Sequence, residues 1–240
     1  MEEQEPIYAL AVDLTEHVRL EVVPRLSSPS DMEARQYMGA ALARCNRLTC
    51  ACLDLWKLAD SEAIGILLRQ ALELWLWGRY FGLAPEEALL ALRQAEAHQL
   101  ALFDETWGFL DDLKSALGVE RKRMPIEHVS ERVEVLLGDS SGDLLISHPE
   151  RLYEILYRAE STVSVHAGRA VLIQHLAKET PDLVQVIHAA ALPEDSLRVG
   201  LLGLLLADLA FATSRVYGIS TDPIVAIVNE LGNHLNIEPA

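Results

Sequence analysis

The sequence predicts an all-α fold, a single-domain multi-helix bundle, and three observations predict it. Apolar residues recur at helical spacing along most of the 240 residues, and no run of alternating strand residues stands out. Half of the residues are apolar, enough for a chain of this length to bury about 70% of its unfolded surface in a shared core. Proline, glycine and serine fall where they punctuate helices, and there is no internal repeat or low-complexity tract.

Taken in order, a first helix is expected over residues 6 to 23, with Pro6 in its first turn and Pro24 ending it. Ser27-Ser28-Pro29 breaks the chain, and Ser30 is the expected N-cap of a second helix to about Ala59, with Asp31 and Glu33 at its positive end. Asp60 or Ser61 caps a third helix through about Phe81, ended by Gly82. Pro85-Glu86-Glu87 opens a fourth, extending to Leu117 and Gly118. A charged linker leads to a short helix around Glu127–Leu137 and then to the loop signal Gly138-Asp139-Ser140-Ser141-Gly142-Asp143. Helix is expected again from Pro149 to Lys178, with a break near Ser161–Ser164 or Gly168. A short helix after Pro181, a long apolar one from Pro193 to Tyr217 and a last one after Pro223 complete the chain. One core shared by about eight helices is the economical arrangement.

The charge narrows the function. Twenty Lys and Arg face 36 Asp and Glu, a net charge of −16, and each of the segments 1–60, 61–118, 119–150 and 151–240 is net negative. Such a surface repels phosphate and anionic lipid at long range, which disfavours RNA and membrane as partners. Arg121-Lys122-Arg123 is the densest basic spot and reads as a solvated loop. The acidic start, Met-Glu-Glu-Gln-Glu-Pro, lacks the basic residues of an export signal, and Cys45, Cys50 and Cys52 read as small hydrophobes in a reducing, cytoplasmic setting. The apolar run 199–207 is too short to span a bilayer, so it reads as a core helix. Eight dispersed histidines form no H-E-x-x-H or E-x-x-H pair, three cysteines form no C-x-x-C, and no Gly-rich phosphate loop occurs; no metal and no cofactor are expected.

Two polar constellations interrupt apolar helices. Arg69 and Glu73 lie four residues apart in the third helix and therefore stack on one face, with Trp77 a turn further on. They form either an ion pair that fixes helix packing or a guanidinium, oriented by Glu73, that meets an anion. The second constellation runs from Tyr157 and Arg158 through Ser161, Thr162 and Ser164 to His166. Arg158 and His166 share a face if the helix is unbroken, which suits a general base beside a cation that stabilises phosphate charge. A buried histidine satisfied by a hydroxyl explains the same pattern. Asp208, inside the apolar helix near the C-terminus, is expected to pair across the core with an arginine such as Arg69 or Arg158.

The stretch Leu55 to Glu73, with its R-x-x-x-E, resembles the core of a large family of uncharacterised all-helical bacterial proteins. The segment Tyr157-Arg158 to His166 is similar to that family's Y-R-x-x-S-x-x-x-H segment. The resemblance covers about residues 40–180, with about 181–240 a C-terminal helical extension of the single domain 1–240. That family is similar in turn to the HEPN superfamily, many of whose members are metal-independent ribonucleases of toxin–antitoxin and phage-defence systems. The resemblance implies a HEPN-like core and a homodimer. It also implies Arg158 and His166 as catalytic pair, and a protein partner of antitoxin type.

Two departures accompany it: seven residues separate Arg158 from His166 where the nuclease motif has four to six, and Ala159 follows the arginine where a polar residue is usual. The alternative is a non-catalytic helical binding or interaction module. There the Arg69, Glu73 and His166 cluster, with Tyr157, Ser161 and Thr162 beside it, is structural or holds a small anionic ligand.

Overall fold

A computed structural model of the chain describes residues 5–29, 32–58, 60–107, 122–138, 153, 176–180, 183–186 and 195–235. The architecture is a helix bundle, and the helices fall close to where the sequence puts them. They are α1 (Glu5–His17), α2 (Glu33–Lys57), α3 (Ser61–Leu83), α4 (Pro85–Trp107), α5 (Ile126–Gly138), α6 (Asp195–Tyr217) and α7 (Asp222–Leu235). The last turns after α1 widen into a π-helical stretch, Val18–Val22, and tighten into a 3-10 turn, Val23–Arg25, that accepts Pro24.

Three boundaries differ from expectation. Met32, not Ser30, occupies the N-cap of α2 and supplies no side-chain bond, while Ser30 itself lies outside the described residues. Gly82 does not end α3: the helix runs on to Leu83, and Pro85 opens α4 after the single residue Ala84. Helix was expected to Lys178 and again after Pro181, but a two-stranded antiparallel hairpin stands there. Its strands are β1 (Leu176–Thr180) and β2 (Leu183–Val186), with Leu176 opposite Val186 and a register shift between Lys178 and Thr180. Other boundaries hold. Asp60 caps α3 by accepting the Ala63 N–H at 3.1 Å, and Gly218, at φ +69, supplies the left-handed residue that stops α6.

The core sits where α2, α3 and α6 meet. Leu42 and Cys45 of α2, Leu68, Leu72 and Trp75 of α3, and Leu202, Leu206 and Leu209 of α6 are fully buried, each large side chain contributing about 1.5–3 kcal/mol. α2 and α3 form an antiparallel hairpin, joined by a short link, in which Gly78 lies against Ala41 and Gly82 against Met38. α1 and α7 pack on α6, while α4 and α5 cover the other side of α3. α6 is the one described helix long and apolar enough to cross a membrane, and it is instead the buried centre of the bundle.

α3 and α6 run parallel, which explains the long stretch of chain between them. Two buried polar contacts show the direction. At the start of both helices the Ser61 hydroxyl donates to Asp195, and Arg198 Nη1 donates to Asp195 Oδ1 and to the Ser61 carbonyl, each at 3.2 Å. About 20 Å further along both axes, Trp75 Nε1 donates to Asp208 Oδ2 at 2.6 Å. A carboxylate in so apolar a place is costly unless its lone pairs are used, and both carboxylates are anchored in this way.

Candidate binding face on α3, α4 and α5

Residues of α3 at 64, 68, 71, 72, 75 and 76 point into the core, which turns 69, 73 and 77 toward α4. Arg69 Nε stands 3.7 Å from Glu73 Oε1, and the two side chains are 24% and 39% exposed. The pair is therefore not sealed in the bundle but sits at its side. Glu73 and Trp77 line a cleft of about 270 Å³ together with Leu92, Glu96 and Gln99 of α4 and with Met124 and Ile126 ahead of and within α5.

Trp77 also packs on Tyr80, ring centres 6.0 Å apart, and Tyr80 leads into a second cleft of about 400 Å³. Met124 borders both clefts. In the second, Arg132 of α5 forks onto Glu87 of α4, Nε to Oε1 at 2.8 Å and Nη2 to Oε2 at 2.9 Å, and the Tyr80 hydroxyl donates to Oε1 at 2.9 Å. The Arg132 bond, seconded by Tyr80, holds the Glu87 carboxyl below the usual carboxylate range against a smaller opposing effect of burial. Burial first, and the neighbouring Glu87 second, push the Tyr80 phenol well above its ordinary value. Lys122 and His128 line the same cleft, and the Lys122 backbone N–H reaches the Gln94 carbonyl at 3.4 Å, tying the linker to α4.

Asp208 does not pair with Arg69. Its Oδ2 stands 3.5 Å from Arg79 Nε, with both side chains at most 4% exposed, and the same oxygen takes the Trp75 indole bond. By helical spacing Arg69 stands about 80–120° round α3 from Arg79 and Trp75, so it does not share the face they turn to Asp208. Arg79 is the residue that sequence reasoning missed. Its signal was the spacing from Trp75: four residues place both polar tips on one face, opposite a lone aspartate in an apolar helix. Arg79 also lines a cleft of about 260 Å³ at the far ends of α3 and α6, where the Arg215 guanidinium lies 5.9 Å from the centre of the Phe211 ring.

Tyr157, Arg158, Ser161, Thr162 and His166 lie outside the described residues, and so does any meeting of Arg158 and His166 with Arg69 and Glu73. Among the described residues no three His, Cys, Asp or Glu side chains gather as a metal-binding group. Burial pushes the Cys45 and Cys52 thiols up to about 12, so neither offers a thiolate near neutral pH. Comparison with protein-family models, with curated proteins and with solved structures finds no match.

Proposed function

We propose that this chain is a non-catalytic helical binding module of HEPN-like build, with its ligand face on α3, α4 and α5. The observation that carries the reading is the outward placement of the Arg69–Glu73 pair: Glu73 lines a cleft beside Trp77, Glu96 and Gln99. An ion pair serving only to lock packing belongs between helices, whereas a half-open pair beside an aromatic wall and a carboxamide suits a small ligand. The ligand is a small anionic molecule, in keeping with Lys122 and Arg132 in the adjoining cleft, which shares Met124 with the first.

The competing reading is a metal-independent ribonuclease in which His166 is the base and Arg158 steadies phosphate charge. It requires RNA to approach an acidic surface, and it requires a motif one residue longer than the nuclease spacing. Homodimerisation belongs to the same proposal, and light scattering of the preparation used for binding reads it out.

Thermal melting with a panel of small phosphates, carboxylates and neutral metabolites tests the binding reading. A dose-dependent rise in midpoint that disappears in Trp77→Ala supports it, because only a ligand that prefers the folded state raises the midpoint. A panel that leaves the midpoint unchanged, together with RNA cleavage that depends on His166, replaces it with the nuclease.

A further inference from the structure

The cleft between α3, α4 and α5 concentrates positive charge in a chain that has little. Lys122 from the linker, His128 from the first turn of α5 and Arg132 one turn further on all line it. The one carboxylate among the described residues of the cleft, Glu87, is already engaged by three donor groups, two from Arg132 and one from Tyr80. Among the described lining residues Lys122 and Arg132 set two cations against that one carboxylate, and a bound anion would complete the balance.

The donors also have the right form. Arg132 uses Nε and Nη2 on Glu87, which fixes the plane of the guanidinium and leaves Nη1 for a ligand. The ammonium of Lys122 and the imidazole of His128 are exposed, no side-chain hydrogen bond holds either among the described residues, and they approach from the linker and from α5. Leu90, Ala91 and Met124 supply an apolar wall that fits an organic group attached to the anion.

We propose that this cleft binds a phosphate monoester, its phosphoryl oxygens on Lys122, His128 and Arg132 and its organic part on the Leu90–Met124 wall. The inference rests on the binding-module reading above and names the chemistry of one part of that face. A monoester is preferred to a nucleic-acid phosphodiester because it carries more charge at one phosphorus. The cleft also offers a compact group of donors instead of a basic track.

Isothermal titration of the full chain with phenyl phosphate, inorganic phosphate and a short single-stranded RNA tests the proposal. Saturable binding of phenyl phosphate is expected, tighter than inorganic phosphate because of the apolar wall. Lys122→Gln and His128→Gln should each weaken it about ten- to a hundredfold, as the loss of a charge-assisted bond does. Arg123→Gln removes the same charge from the neighbouring exposed position and should leave binding within about twofold, since general attraction to one surface charge is weak and screened.

Equal weakening by Arg123→Gln, tighter binding of the RNA, or no saturable binding of either phosphate overturns the assignment. If a small carboxylate still raises the melting midpoint through Trp77, the binding module stands and only the phosphate chemistry falls. If no ligand acts through either cleft, both fall.

Discussion

The Trp75 indole N–H and the Asp208 carboxylate meet at 2.6 Å across the parallel α3–α6 interface, both fully buried. The same carboxylate oxygen stands 3.5 Å from Arg79 Nε, so one aspartate anchors an indole and a guanidinium from successive turns of α3. Asp208→Ala takes the carboxylate away from both the buried Arg79 guanidinium and the Trp75 indole and should cost about 3–5 kcal/mol in urea unfolding. Trp75→Phe leaves the charge pair and removes a hydrogen bond, so a smaller loss of about 1–3 kcal/mol is expected from that bond. Equal losses in the two variants would mean that the ion pair contributes little beyond the indole bond.

Gly78 tests how closely α3 approaches its neighbours. A Cβ there would lie 2.5 Å from Leu209 Cδ1 and 3.4 Å from the Ala41 Cβ, between fully packed side chains. Alanine ordinarily gains about 1 kcal/mol over glycine inside a helix. Here the overpacking should exceed that gain, and Gly78→Ala should lower stability by about 1–3 kcal/mol. A raised midpoint would show that Leu209 can move aside.

Arg69→Ala and Glu73→Ala should each change stability by only about 0.3–0.5 kcal/mol, the range of exposed i, i+4 pairs, because both side chains are partly solvated. A loss near 3–5 kcal/mol, the size expected for a stranded buried charge, would place the pair in the core after all. Unfolding curves of the two variants decide this, and binding measured on the same samples shows whether their role is at the surface.

The Glu87 carboxyl titrates below its usual range because of its bonds from Arg132 and Tyr80. A carboxylate whose value falls on folding stabilises the protein above its unfolded pKa, about 4.3, and that contribution is lost as the pH drops through the folded value. The stability difference between the wild type and Glu87→Gln should therefore be largest near neutral pH and shrink in acid. Its size should be modest, because the pair is exposed. A difference that is flat from neutral to strongly acidic pH would mean that the fork does not hold in solution.

The bundle was largely legible in the sequence because its signals are local. The Asp60 cap and Pro85 at the start of α4 each act within one turn. The hairpin was not legible: Leu176-Ala-Lys-Glu-Thr is rich in good helix formers, and strand pairing with Leu183–Val186 outweighs that local preference. Asp208 announced itself as a buried acid, yet Arg79, which pairs with it, is 129 positions away in sequence, and only the packing of α3 on α6 selects Arg79 over Arg69. The basic cleft was hidden for the same reason. Lys122 reads as one of three solvated charges in a linker until α4 and α5 bring Arg132 and His128 beside it.

The most direct test of the central claim, a binding module without nuclease chemistry, is incubation of pure chain with total RNA in the presence of a chelator, beside His166→Ala. Intact RNA is expected in both reactions. Cleavage by the wild type that vanishes in His166→Ala would contradict it and assign the chain a catalytic site at Arg158 and His166.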